Sequence, residues 1–96
     1  MQTADYRAAY DLFRELLKKL RESKGVTQAQ LAERLEIPQS YVSKYETGER
    51  RLDFVETAEI CEALGIKTAD LANLFESRAG KFGASSKKPS QRRRKA

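Results

Sequence analysis

The sequence predicts an all-α fold, a five-helix domain followed by a basic tail. Three observations predict it. Apolar residues recur at steps of three and four along most of the chain, and no stretch makes a credible strand. Cap residues and glycines interrupt that periodicity at Gly25, Thr27, Gly48, Asp53 and Gly65. From Gly80 the composition shifts to Gly, Ser, Pro, Lys and Arg, which cannot bury enough apolar surface to offset chain entropy. The expected organisation is one domain over residues 1–79 and a disordered basic tail over 80–96.

The first helix is expected from about Ala4 to Ser23. Tyr6, Tyr10, Phe13, Leu17 and Leu20 form its apolar stripe, widened by Leu12 and Leu16. Gly25 stops it, and Arg21 and Lys24 near its end suit the helix dipole. The helix is longer than the core needs, so Tyr6 and Tyr10 are expected to meet helix five or a second subunit.

The central stretch is TQAQLAERLEIPQSYVSKYETGERR, Thr27 to Arg51. Thr27 caps the second helix, with Gln30 completing a capping box, and Ala29, Leu31, Ala32 and Leu35 form its apolar face. Glu36-Ile37-Pro38 breaks the pattern, because a residue before proline is pushed from the α region. A third helix then spans about Gln39 to Thr47, with Val42 and Tyr45 inward and Gly48 as its stop. Its other face carries Gln39, Ser40, Ser43 and Lys44, short or basic groups that can hydrogen-bond base edges. Two such helices, the second polar outward, make a helix-turn-helix arrangement, which implies DNA binding.

Glu49-Arg50-Arg51-Leu52 is a charged loop, after which Asp53 caps a fourth helix with Glu56 as capping-box partner. That helix, about Phe54 to Leu64, is expected to bury Phe54, Ala58, Cys61 and Leu64 and to turn Glu56, Glu59 and Glu62 away from DNA. Cys61 on the apolar side is a core residue rather than a reactive thiol. Gly65 ends the helix, and a fifth, capped by Thr68, runs to about Ser77 with Leu71, Leu74 and Phe75 on one edge.

Composition excludes several classes. With one cysteine and no histidine, an internal disulfide is impossible and neither a metal site nor a cofactor is expected. No histidine, glycine-rich phosphate loop or convergent carboxylate pair suggests an enzyme. No apolar run could span a bilayer, and the first residues lack a basic start and apolar core, so a cytoplasmic location is expected. The net charge of +5 is uneven. Seven of the 19 basic side chains and none of the 14 acidic ones follow Gly80, leaving 12 basic against 14 acidic before it, a net of −2. DNA attraction must therefore come from a local patch or from the tail.

The stretch from about Leu16 to Phe75 resembles the lambda-repressor-like helix-turn-helix family, also called the Cro or XRE family. The resemblance is carried by Leu20-Arg21, Lys24-Gly25, Thr27-Gln28, Leu31-Ala32, Leu35, Val42-Ser43-Lys44, Glu46, Gly48 and Ala63-Leu64-Gly65-Ile66, in this order and spacing. It implies that Gln39, Ser40 and Lys44 read major-groove bases, with Tyr41 and Ser43 beside them. It also implies phosphate contacts by Thr27, Gln28, Thr47, Arg50 and Arg51, and a partly buried ion pair between Arg21 and Glu46. On the residues alone, Gln28, Gln39 and Lys44 read first as solvated positions, Tyr41 as packing on sugar and phosphate or as a cover over the turn, and Arg50-Arg51, beside the third helix, as a phosphate contact ahead of a plain exposed loop. Two departures bear on stability. Glu36 stands where the family usually has glycine for positive φ, and Pro38 replaces the usual Ser or Thr cap.

The resemblance implies a sequence-specific transcriptional regulator, a repressor of prokaryotic or phage-like type, binding double-stranded DNA as a homodimer. Helix five, through Leu71, Leu74 or Phe75, is the first choice for the dimer face and helix one the second. The alternative is an antitoxin or controller partner in a two-component module, gripping another protein through helix one or five while binding its own operator. A helical adaptor without DNA binding would place acidic or bulky apolar residues at positions 39, 40 and 44, which this chain does not.

Overall fold

The computed structural model describes residues 3–83, and five helices account for most of them. These are α1 (Thr3–Ser23), α2 (Gln28–Leu35), α3 (Gln39–Thr47), α4 (Phe54–Leu64) and α5 (Thr68–Gly83). Among the described residues there is no strand. Helix α1 packs against α3 and α5, α2 against α3 and α4, and α4 against α5.

The helix boundaries follow from hydrogen bonds that the sequence makes available. Thr27 accepts from the Gln30 backbone N–H while the Gln30 side chain accepts from the Thr27 N–H, a complete capping box at α2. Asp53 and Glu56 form the same pair at α4. Pro38 at the start of α3 makes no side-chain cap bond. The first four helices share a mode of termination, in which one left-handed residue lets the next N–H reach back to a carbonyl five residues earlier. Val26 N donates to Arg21 O at 3.2 Å, Ile37 N to Ala32 O at 3.0 Å, Glu49 N to Lys44 O at 2.9 Å and Ile66 N to Cys61 O at 2.9 Å. Glycine supplies the left-handed residue at 25, 48 and 65, and Glu36 supplies it between α2 and α3, with φ 58° and ψ 45°. The turn between α2 and α3 thus keeps its left-handed residue despite the missing glycine.

The core is assembled from every helix. Leu17, Leu31, Val42, Tyr45, Ile60 and Cys61 are essentially inaccessible, and Leu16, Val26, Ala32, Leu64 and Leu71 complete the cluster. Burial pushes the Cys61 thiol above its ordinary pKa, which keeps it protonated and inert.

Four sequence expectations need correction. Phe54 is not buried: it is 75% exposed and its neighbour Val55 65% exposed. The inward residues of α4 are instead Thr57, Ile60, Cys61 and Leu64, because Phe54 opens the first turn and projects past the core's edge. Ala58 is only half-buried and Ala29 is exposed. Thr68 is the first residue of α5, and Lys67 O takes the cap position by accepting from Leu71 N at 3.3 Å. Finally, α5 continues past Ser77 and through Gly80 to Gly83. A glycine inside a helix costs only about 1 kcal/mol, and buried Ala79 ties the preceding turn to the fold. The remainder of the predicted tail, 84–96, lies outside the described residues.

Glu36 offers a direct test of this backbone. A side chain in the left-handed region costs roughly 1 kcal/mol, partly offset by the larger unfolded-state entropy of glycine. Glu36→Gly is therefore expected to raise unfolding stability, by up to about 1 kcal/mol, in urea denaturation. A loss of stability would show that Glu36 is not held at positive φ.

Candidate nucleic-acid interface

Helix α3 has two unlike faces. Val42, Tyr45 and Glu46 are buried, whereas Gln39, Ser40, Lys44 and Thr47 are exposed and Tyr41 and Ser43 half-buried. All five residues expected to read bases thus lie on or beside the open side of one helix.

The buried side is anchored by charge. Arg21 Nε donates to Glu46 Oε2 at 2.7 Å and Arg21 Nη2 to Glu46 Oε1 at 3.0 Å. Both residues are nearly inaccessible, at 7% and 6% exposure. Taking two charges out of water costs several kcal/mol each, so the pair holds only if its remaining hydrogen-bonding capacity is met. It is met: Arg21 Nη1 donates to Val26 O at 2.8 Å, and Glu46 Oε1 also accepts from Gln28 Nε2 at 2.9 Å. Gln39 Nε2 in turn approaches Gln28 Oε1 at 3.4 Å. A continuous network therefore runs from α1 through Glu46 near the C-terminal end of α3 to the first residues of α2 and α3. The Gln28 amide, expected at a phosphate, points its N–H groups at Glu46, leaving the free backbone N–H groups of the α2 N-terminus for an anion.

Arg14 holds the end of α3, a contact that sequence reasoning missed. Its Nη1 donates to Glu46 O at 2.7 Å, capping the end of α3, and its other nitrogens bond Asp11. Gly48 sits so close that a Cβ there would lie 3.2 Å from Arg14 Nε. The available signal was spacing, because Arg14 lies two turns before Arg21 on the same face of α1.

The two loop arginines are held rather than free. Arg50 lies over the Tyr41 ring, 4.2 Å from its centroid, and its Nη2 pairs with Glu56 Oε2 at 3.0 Å. Glu56 therefore faces the α3 loop, unlike the outward orientation expected for it. The hydrogen bond from Arg50 holds the Glu56 carboxyl below the usual range, whereas burial and the Glu56 charge hold the Tyr41 phenol above its own. Arg51 lies over Tyr10 and Tyr6, with centroid distances of 4.6 and 5.1 Å, and donates to the Tyr6 hydroxyl. Tyr10 Oη accepts from the Leu52 N–H at 3.1 Å. The overhanging tyrosines of α1 thus meet the loop after α3. Thr47 Oγ1 donates to Lys44 O at 3.1 Å. Lys44 remains an exposed cation on the open face.

Among the described residues no three His, Cys, Asp or Glu side chains converge as a metal site requires. No described helix is long and apolar enough to cross a membrane.

Two short helices joined by a tight left-handed turn, the second anchored inward and polar outward, define a helix-turn-helix DNA-binding domain. Comparison with known proteins gives the same class: a family model described as a helix-turn-helix domain matches residues 12–74. The solved structure of an XRE-family-like protein from Pseudomonas syringae pv. tomato is 40% identical, with 76% of this chain and 89% of that one covered and a TM-score of 0.73. A mutant of the restriction-modification controller protein C.Esp1396I, 22% identical, superposes over 77% of this chain and 94% of that one with a TM-score of 0.70, a likeness of fold alone. No curated protein matches. With two-thirds of its length inside that family model and an XRE-like relative at this identity, the chain belongs to the Cro/XRE-like helix-turn-helix family of DNA-binding regulators.

The buried pair generates a prediction. Glu46→Ala leaves the Arg21 cation without its partner and is expected to cost about 3 kcal/mol or more of stability. Replacing both residues by uncharged side chains of similar volume is expected to recover part of that loss. A double-mutant cycle by denaturation checks this, and small additive losses would mean the two charges are not coupled.

Proposed function

We propose that this protein is a sequence-specific transcriptional regulator, a prokaryotic repressor, that docks α3 in the major groove of double-stranded DNA as a homodimer. The observation that carries the reading is the polar face of α3, held open by a buried ion pair on the opposite side. Gln39 suits adenine and Lys44 suits guanine, with Ser40, Ser43 and Tyr41 beside them. Thr27 and Gln28 at the start of α2, with Thr47, Arg50 and Arg51 after α3, are the proposed backbone contacts. The chain acts by binding, without cofactor or catalysis, in the cytoplasm.

A homodimer is supported by an apolar surface. Exposed Phe54 lines an open groove of about 650 Å³, shared with Phe13 of α1 and Leu71 and Phe75 of α5, and its chain neighbour Val55 is exposed as well. Leu71, at 4% exposure, serves the core and Leu74 packs against it, so the proposed contact moves to Phe54 and Val55, with Phe75 sharing the groove of Phe54. Of the two tyrosines whose exposure would favour a separate protein partner, Tyr10 is half-buried, whereas Tyr6 stays 44% exposed although Arg51 lies over both rings.

Selection from a random duplex pool tests the reading. The expected result is a palindromic consensus with half-sites about one helical turn, ~34 Å, apart. Lys44→Ala or Gln39→Ala is expected to cost roughly 1–3 kcal/mol on that site and to relax preference at one base pair. Equal affinity for all sequences, or one protein per saturated site, would contradict it.

A further inference from the structure

Helix α1 begins well before the residues that form the core. Its first core residues are Leu16 and Leu17, yet more than three turns precede them and run beside the loop after α3. Those turns carry Tyr6 and Tyr10, which clasp Arg51, and they also carry Arg7 and Arg14. Seven residues apart, Arg7 and Arg14 stand two turns apart on one face. Between that face and the end of α3 opens a cleft of about 360 Å³, which Thr47 and Arg51 also line.

The cleft is basic within a domain that is not. Arg7, Arg14 and Arg51 face it with Asp11 as the only acid, a local charge of +2, whereas residues 1–79 together carry −2. Asp11 is committed to Arg14, at 3.1 Å. Arg7 is exposed and has no ion pair among the described residues. Arg51 is stacked on two aromatic rings, so a rigid guanidinium plane is already oriented before any ligand arrives. Guanidinium groups match phosphate oxygens through paired N–H donors, and one held in place loses less entropy on binding. The negative end of the α3 dipole would oppose an anion here, but Arg14 covers it through the Glu46 carbonyl.

Position relates the cleft to the reading face. Ser40, Lys44 and Thr47 follow one another at helical spacing, and Thr47, the last of them, lines the cleft. An anion in the cleft would therefore sit at the C-terminal end of the stripe that faces the bases. We propose that the cleft binds a phosphodiester of the DNA backbone flanking the groove entered by α3, with Arg7 as the direct contact contributed by α1. The site rests on the reading of α3 as the groove-entering helix. It adds a backbone contact from α1, outside the helix-turn-helix unit.

Equilibrium binding of the full chain across a salt series tests the proposal, on the selected duplex and on an unrelated one. Arg7→Gln alters an exposed residue with no ion pair among the described residues, and Lys67→Gln removes a charge outside the cleft. Arg7→Gln is expected to weaken both duplexes by the same factor and to reduce the slope of log affinity against log salt by about 0.9 for each bound protomer, one phosphate contact apiece and so about 1.8 for a homodimer. Lys67→Gln is expected to leave the slope unchanged. A neutral methylphosphonate at the contacted position should weaken the unmodified protein and not Arg7→Gln. Superimposed salt lines for Arg7→Gln and the unmodified chain, an equal loss in Lys67→Gln, or a loss confined to the selected duplex would each overturn the site. Arg7-dependent uptake of inorganic phosphate, measured by calorimetry, with an unchanged DNA slope would assign the cleft to a free anion instead and overturn the DNA contact. Failure of the unmodified chain to bind any duplex would remove the whole interface, and this site with it.

Discussion

The buried pair of Arg21 and Glu46 is the constraint on which the rest of the arrangement depends. Helix α3 has nine residues, fewer than a helix needs to persist alone in water, and Pro38 gives its start no side-chain cap. Apolar packing of Val42 and Tyr45 holds it to the core, but packing tolerates small rotations and slides. A bidentate ion pair does not. Turning α3 would separate Glu46 from Arg21 and leave a charge in the interior, at a cost of roughly 3–5 kcal/mol. The pair thus converts a weakly helical segment into one whose outward face has a fixed direction. Its accessory bonds extend that control, through Val26 to the connection before α2 and through Gln28 to the first residue of α3.

The same side-chain chemistry works differently at the surface. Arg14 reaches over the end of α3, Arg50 lies on Tyr41 against Glu56, and Arg51 lies on Tyr6 and Tyr10. Each arginine keeps its charge while giving up freedom of movement. Exposed ion pairs contribute little to stability, so the main consequence of this bracing is orientation. A domain with a net charge of −2 before Gly80 thus holds three of its cations in fixed places around one helix. Long-range attraction from such a surface is modest.

Much of this was legible in the sequence, for physical reasons that also explain the rest. Capping boxes at Thr27 and Asp53 and the stops at Gly25, Gly48 and Gly65 are local, set by residues three to six apart. The strained turn at Glu36 and the coupling of Arg21 to Glu46 came from the family pattern, because a pairing 25 residues apart has no local signature. Phe54 was misread because periodicity gives the face of a helix and not how far the core extends along it. The length of α5 was misread because the change in composition from Gly80 was taken as the limit of ordered structure, whereas the helix runs through that glycine at a small cost. Arg14 escaped notice because its partner is a backbone carbonyl, invisible to residue pairing. The tyrosines were recognised as surplus to the core, but their partner Arg51, 45 residues from Tyr6, could only be found in three dimensions.

If a rigid inner side of α3 presents a DNA-reading outer side, nitrogen-15 NMR of the side chains during duplex titration will show both. The Arg21 Nε–H is expected to exchange slowly with solvent and to keep its resonance when the selected duplex is added. Under the same titration the Gln39 side-chain amide and the backbone amides from Ser40 to Thr47 should shift. Fast exchange at Arg21, or duplex-induced shifts concentrated on α4 with Gln39 and Lys44 unmoved, would contradict it.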